Sequence, residues 1–470
     1  METETVKAGR DRRERAVVGL LAACGMLTSL QFTLVVPVLP RIPDLLDTTA
    51  ADASWLITVT LLVGVVGTPV ATRLADTHGR RRMLLVSMWL LVTGSLIAAV
   101  VPGFAAVLVG RALQGFGTAV VPIGIALLSS LVSRRQATLG IALMSGTLGI
   151  GSTLGLTLAG PLVQWAGLSS IFWFTAAIGV AFCILIRLFT AEVPTAGSRD
   201  FDLVGAVLLT IGLTALLLAV SRGQAWGWTS ATTLSLAAAA VVMLPAWLAW
   251  ERRQASPLID ARTAMRSSIS TINIASFFAT FGMYANHLLT TQEALAPVAT
   301  GFGLAMDLAV AGFFLLPSTL TMILLAPLAA RVITRFGGTR ALALGAGIMT
   351  LAFGYRMLFH ADALSVIIGS GLVGAGVAFA FAAMPSLITA SAPADQVATA
   401  NGVNSVVRTF SGAVATALFA LVIATSPSPV DAAFLSAIAL QLSFAAAAVS
   451  GAVTCVLAFL LRIPRIPEPA

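Results

Sequence analysis

Charge is scarce in this chain of 470 residues: Asp, Glu, Lys and Arg together make up only 10% of it. A soluble domain coats itself with about a quarter charged residues, so a water-facing globule is excluded. Hydrophobic residues supply 58% of the chain and the mean hydropathy is +0.98, which leaves lipid as the solvent for its outer surface. Lysine occurs once, as Lys7, against a large excess of arginine, a bias associated with GC-rich bacterial genomes. The three cysteines, Cys24, Cys183 and Cys455, fall inside apolar runs without metal-ligand spacing, so they read as small core residues with no disulfide or metal role. Leu21-Ala22-Ala23-Cys24 is similar to a lipoprotein cleavage site, but the apolar run around it continues to about residue 39, too long for a signal-peptide core.

Enzymatic apparatus is missing as well. Gly115-Phe116-Gly117 lies in a hydrophobic run rather than in a phosphate-cradling loop, and no cluster of metal ligands occurs. His78 and His360, both in loops, offer no nucleophile–base pair. An enzyme is therefore excluded, no cofactor or metal is expected, and the lack of a nucleotide-binding domain excludes an ATP-driven pump. A net charge of +8 and a pI near 10.8 would suit nucleic acid. The basic residues sit instead in short loops between apolar runs, which is a topology signal, so no nucleic-acid partner is expected.

What is present is a series of apolar runs, each near the ~20 residues that cross a bilayer as a helix. They cover 16–40, 53–72, 83–101, 105–131, 137–164, 170–189, 202–221 and 231–250, then 268–292, 308–330, 340–359, 363–390, 399–425 and 436–461. The expectation is an all-α integral membrane protein of fourteen spans. With the N-terminus inside, 23 of the basic residues, Arg408 among them, fall on internal segments. Arg41, Arg222 and Arg356 fall outside, and Arg111 lies within span 4. That bias predicts both termini on the cytoplasmic side of a bacterial plasma membrane.

The chain also repeats itself. At a shift of 258, "TPVATRLADTHGRRRML" (68–84) aligns with "APLAARVITRFGGTRAL" (326–342), matching Pro69/Pro327, Arg73/Arg331, Gly79/Gly337 and Arg82/Arg340. At a shift of 259, "VGRALQGFGTA" (109–119) aligns with "IGSGLVGAGVA" (368–378), matching Gly110/Gly369, Gly115/Gly374 and Gly117/Gly376. An internal duplication then gives a tail at 1–15, a six-helix bundle at 16–189 and a linker with an inserted helix pair at 190–266. A second six-helix bundle follows at 267–461, with a tail at 462–470. Two parallel bundles around a midplane cavity make a rocking transporter, expected to work as a monomer on a small-molecule substrate within the lipid bilayer. Asp76, Arg111 and Gln114 meet Thr334, Ser370 and Val373 across the repeat, so charge is concentrated in the first half.

Ionisable groups inside a span are costly and mark function. Every one of the 19 acids falls at a loop or span end, with Glu293 read as external, so no carboxylate is expected in mid-span. Arg111 and Gln31 lie at similar depth, roughly 10 and 13 Å below the external ends of their spans at 1.5 Å per residue. Arg111 is either a fixed cation in the cavity, held by Gln31 beside Gln114, or a brace that bonds backbone carbonyls. His287 is the one histidine within a span and can exchange protons near neutrality. With Glu293 it is a candidate proton carrier, or else a plain hydrogen-bonded helix residue. Phe277, Phe278, Phe281 and Tyr284 form a stripe that, with Asn286, lines a substrate wall or faces lipid. Gly151, Gly155, Gly160 and Pro161 mark span 5, where small residues allow close helix packing.

"RLADTHGRRRML" resembles the loop between spans 2 and 3 of the major facilitator superfamily, with Leu74, Asp76, Gly79 and Arg80 as its core and Thr72 in place of the leading glycine. "GRALQGFGTAVVP" (110–122) resembles that superfamily's span-4 signature. "DFDLVGAVLL" (200–209) followed by "SRGQAWGWTS" (221–230) is similar to the inserted helix pair of its fourteen-span drug:proton antiporters. The resemblance implies two six-helix bundles plus two inserted helices, and efflux of a drug or secondary metabolite coupled to protons. It further implies that Asp76 caps or pairs at an internal helix end, Gly79 makes the turn and Arg80 engages the bundle, latching the outward-facing state. The chain departs from the pattern twice: Gln31 stands where the span-1 acid is usual, and the span-5 Gly-Pro has shifted to Gly160-Pro161. Both departures leave open a facilitator or importer that does not exchange protons.

Overall fold

The computed structural model of the protein describes residues 2–193, 201–254, 257–359, 362–431 and 434–461. His360, the linker stretch 194–200 and the tail 462–470 lie outside the described residues. Apolar runs in lipid become helices because only a helix satisfies its own backbone donors and acceptors. The long helices among the described residues are α1 (Glu2–Leu34), α2 (Trp55–His78), α3 (Arg80–Val100), α4 (Phe104–Leu131), α5 (Arg134–Ala166), α6 (Ser169–Phe189) and α7 (Leu203–Trp226). They continue as α8 (Ala231–Glu251), α9 (Ser267–Leu295), α10 (Gly312–Phe336), α11 (Gly338–Leu358), α12 (Ala363–Ser391), α13 (Val397–Thr425) and α14 (Ala437–Leu460). Residues 2–15, in the segment expected as a tail, are helical and continue into α1.

Twelve of these helices are long and apolar enough to cross a membrane. The expectation of fourteen crossings exceeds that number by α5 and α9, which are diluted by Gly, Ser, Thr and Asn. Large apolar side chains line the outside, with Leu324 72%, Leu351 75% and Phe459 76% exposed, as a lipid-facing surface requires.

Two large apolar cores form. One draws on residues from Val17 to Ile186 together with Val397 and Ala398; the other draws on residues from Ile272 to Leu461 together with Ala142. They meet where α5 packs on α10 and α12, and where α2 and α4 pack on α13. The repeat is three-dimensional as well. A side chain at Gly115 would strike Thr60 and one at Gly374 would strike Ser318, positions 258 residues apart. Gly117 faces Leu91 and Gly376 faces Met349, again a shift of 258.

The most extensive helix pair within the first core is α1 against α5. Its closeness rests on Gly151, whose missing side chain leaves room for the Met26 and Leu30 backbone, and on Gly155, which admits Leu30 and Thr33. Gly160 corrects the span-5 expectation: a side chain there would meet open space, so it is no packing position. Pro161 is partly exposed inside the last turns of α5. Gly151→Leu is expected to cost about 1–3 kcal/mol or more through overpacking. Gly160→Leu should stay within about 0.5 kcal/mol. Thermal unfolding of the purified variants measures both, and equal losses would rule out the α1–α5 seam as the cause.

The pair α7–α8, expected as an insertion, is tied at both ends. Arg222 near the end of α7 donates to Ser54 Oγ at 2.7 Å and lies over the Trp55 ring at 4.4 Å. At the other end Asp202 accepts from the Trp250 indole at 3.0 Å, and Glu251 accepts from Trp247 at 3.0 Å and from the Leu258 amide at 3.1 Å. The long face of the pair stays open, with Val241 73% exposed.

Candidate functional site

The polar chemistry of the chain gathers in three places: the arginine-rich end, and one buried guanidinium network in each half.

At the arginine-rich end, α2 hands over to α3 through Gly79 alone. Its φ of 113° is a conformation that only glycine adopts readily. With no loop between the helices, Asp76 and Arg80 face each other at i, i+4, and Arg80 Nη2 donates to Asp76 Oδ1 at 3.1 Å. Asp76 Oδ2 also accepts from the Thr399 amide at 2.8 Å and the Thr399 hydroxyl at 3.0 Å, and Oδ1 accepts from the Ala398 amide at 3.3 Å. Those donors open α13, so a carboxylate from one half caps a helix N-terminus of the other, where negative charge is favoured. Arg80 reaches both halves too, donating to Ala126 O at 3.1 Å, Ser130 Oγ at 2.5 Å and Ala394 O at 2.6 Å. Thr72 sits against Gly402 of α13, so the close approach needs a glycine on the opposite helix.

The repeated copy keeps the turn and lacks the clasp. Gly337 has φ 91°, but Thr334 is exposed and spends its hydroxyl on Ala330 O at 3.1 Å and Arg331 O at 3.0 Å of its own helix. One participant was missed from sequence. Glu192 accepts from the Arg81 amide at 3.2 Å and the Arg82 amide at 3.0 Å, capping α3 from beyond α6. No local pattern connects residues that far apart in the chain.

In the first half Arg111 is fully buried. Its Nη1 donates to Gln31 O at 3.1 Å, Gln31 Oε1 at 3.0 Å and Gln114 Oε1 at 2.9 Å, while Nε donates to Leu56 O at 3.1 Å. Gln114 in turn donates to Ser95 Oγ at 2.7 Å. Gln31 and two backbone carbonyls thus share the guanidinium, which ties α1, α2, α3 and α4 together. With no exposed surface, Arg111 is a brace in this conformation and not a solvated cavity cation.

The second half buries a guanidinium in the corresponding place, delivered from a different helix. Arg356 of α11, fully buried, pairs with the fully buried Glu293 of α9 and donates to Asn286 Oδ1 at 2.5 Å. Asn286 donates to Ser370 Oγ at 3.3 Å, and Ser370 is the repeat counterpart of Arg111. The Phe444 ring lies 4.6 Å from the Arg356 guanidinium. Two expectations are corrected here. Glu293 and Arg356 were assigned to the outer surface by their distance from span ends, yet the returning segment 296–306 bonds over Glu293 and Ala294 and seals them in. Asn286, expected on a substrate wall, is 1% exposed and held inside this network. The signal lay in the repeat: Arg356 stands at the counterpart of Ala98, against Gly369 as Ala98 stands against Gly110.

The remaining candidates line the face between α9 and α13. Phe281 stacks on Phe419 at 6.1 Å, Phe277 meets Phe410 at 6.2 Å, and Tyr284 lies against Gly412. The stripe therefore faces α13 rather than lipid. His287 is half-buried, 6.3 Å from the Tyr284 ring, with no side-chain hydrogen bond to a described residue. Arg408, counted with the internal loops for orientation, is instead the twelfth residue of α13, half-buried with its guanidinium 4.3 Å from the Phe381 ring centre.

Known proteins share this fold. The model of the Major Facilitator Superfamily matches residues 21–416. Multidrug resistance protein Stp of Mycobacterium tuberculosis is 30% identical over 363 residues, which is 75% of this chain and 65% of that protein. The chain thus spans just under two thirds of that relative's length. The Tetracenomycin C resistance and export protein of Streptomyces glaucescens is 27% identical over 85% of this chain and 74% of that one. Among solved structures, the human organic anion transporter MFSD10 (TETRAN) superposes with a TM-score of 0.65 at 20% identity, covering 96% of this chain and 99% of that one. The proton:xylose symporter XylE gives 0.62 at 11% identity, covering 94% and 95%.

Proposed function

The chain belongs to the major facilitator superfamily, and on that premise we propose that it exports a drug-like or secondary-metabolite small molecule by alternating access. The observation that carries this reading is the Asp76–Arg80 clasp, which joins the two halves at the arginine-rich end and so gives the transporter a state closed on that side. We place the clasp and both termini in the cytoplasm of a bacterial cell, so this conformation is closed inward. Helices α5 and α9 also cross the membrane, completing fourteen spans as two six-helix bundles around the inserted α7–α8. The protein works as a monomer. The names of the multidrug-resistance and tetracenomycin relatives support efflux.

Proton influx drives the cycle in this reading, and Glu293 is its carboxylate: a buried acid whose Oε1 has no hydrogen-bond partner among the described residues. Gln31 in place of a span-1 acid favours a second reading, facilitated movement without protons. Everted membrane vesicles energised to acidify their interior distinguish the two. They are expected to accumulate aromatic antibiotics and dyes from a panel, and to lose them when a protonophore is added. Equilibration without accumulation, unchanged by the protonophore, supports the facilitator, and uptake of no compound overturns export.

A further inference from the structure

Arg408 is a cation in the middle of the membrane without an anion. It lies eleven residues beyond Val397, the start of α13, and so about 16 Å along that helix, near the centre of a hydrocarbon layer about 30 Å thick. The four buried arginines already described each have a hydrogen-bonding partner. Arg80 has Asp76, Arg111 has Gln31 and Gln114, Arg222 has Ser54, and Arg356 has Glu293. Arg408 has neither a carboxylate nor a hydrogen-bond acceptor among the described residues, and its Nε is sealed without a partner. The rest of the guanidinium keeps accessible surface, since the side chain is half-buried and only Nε is enclosed.

That surface does not open on lipid. Arg408 shares a helical stripe with Asn404, Ser411, Gly412 and Phe419. Asn404 donates to Asn273 and Ser276 of α9, Ser411 donates to Phe277 O, Gly412 meets Tyr284 and Phe419 stacks on Phe281. The lipid side of α13 is elsewhere, at Leu418 and Leu421. Arg408 therefore points into the bundle, toward α9 and α12, beside Phe381 and Tyr284.

We propose that Arg408 is the anion-recognising residue of the transport site, and that the substrate is an aromatic compound carrying a carboxylate or phenolate. A guanidinium held over a ring face still presents N–H donors to a planar anion. The aromatic side chains beside it supply faces for fused rings. A lipophilic cation would add like charge at a desolvated site and is selected against. The position expected for the cavity cation from sequence, Arg111, is occupied by a brace; the unpaired charge sits across the molecule on α13. This inference rests on the export reading for its physiological meaning, but its test measures binding alone.

Fluorescein and rhodamine 123, xanthene dyes of similar shape and opposite charge, serve as probes for the purified full-length chain in lipid nanodiscs. Above the last ionisation of fluorescein, the wild type is expected to bind it at least tenfold more tightly than rhodamine 123. Arg408→Gln should weaken fluorescein roughly thirtyfold or more, the scale of losing one partner of a desolvated charge pair, and leave rhodamine little changed. Arg408→Glu should reverse the preference, an outcome that misfolding cannot imitate. A wild type that prefers rhodamine or binds neither dye overturns the proposal, as does an Arg408→Gln variant that binds fluorescein as the wild type does. If binding follows the charge rule while vesicles export neither dye, the export reading fails and the site stands.

Discussion

Arg356→Ala is expected to remove about 3–5 kcal/mol of stability, the cost of leaving one member of a buried ion pair alone. The loss has three sources. Glu293 stays enclosed with no counter-charge, Asn286 loses the donor to its carbonyl oxygen, and the Phe444 face loses its cation. Native stabilities of a few to ~15 kcal/mol make this a large fraction of the whole. The variant should therefore show a lowered melting temperature and a poor yield of monodisperse protein. Pairing it with apolar, volume-matched replacements, Arg356→Met with Glu293→Leu, should restore much of the stability, because the desolvation cost of both charges disappears together. The same double variant lacks the carboxylate proposed to carry protons and is expected to lose proton-driven accumulation while remaining folded. A folded double variant with undiminished proton-driven transport would remove Glu293 from the coupling role. A stable Arg356→Ala variant would show that the pair is not held as tightly as its burial indicates.

Asp76→Asn is expected to slow transport about tenfold or more, the change in rate that accompanies roughly 1.4 kcal/mol. Asparagine still caps a helix, so α13 keeps much of its N-terminal support. What disappears is the charge that holds Arg80 and, through Arg80, the Ala394 carbonyl of the opposite half. Thr334→Ala, at the repeat counterpart, removes only a hydroxyl bonded to its own helix and should leave transport within about twofold, in line with ±0.5 kcal/mol for an exposed site. Distances between spin labels at the clasped ends of α2 and α13 provide the second measurement: a broadened, longer distribution is expected for Asp76→Asn and an unchanged one for Thr334→Ala. Equal effects of the two substitutions would overturn the view that one half alone carries the latch.

Much of this architecture is legible in the residues. Helix positions follow from hydropathy because lipid leaves the backbone no alternative, and the duplication shows in glycines that reappear at a shift of 259 against contact partners that reappear at 258. The Asp76–Arg80 clasp is what the resemblance of the 73–84 stretch to the superfamily's loop between spans 2 and 3 implies. Three things were not readable, each for a physical reason. Glu293 and Arg356 stand near span ends, where sequence implies water, and only the fold of 296–306 over them excludes it. Glu192 acts through a contact between helices far apart in the chain. Arg408 was counted with the internal segments although the expected span 399–425 contains it, and its helix begins eleven residues earlier. A charge near a helix end is ambiguous until the helix end is known.

The inserted pair has a consequence for the surface that lipid meets. Helix α7 packs on both α2 and α13, which belong to opposite halves, and so roofs one of the two lines along which those halves join. The other line runs between α5 and α10, where neither inserted helix packs and Leu320 and Leu324 lie 52% and 72% exposed. The protein therefore has a front and a back within the plane of the bilayer. Lipid therefore meets the packed α5–α10 seam directly on one flank, and on the other it meets α7 and α8 instead.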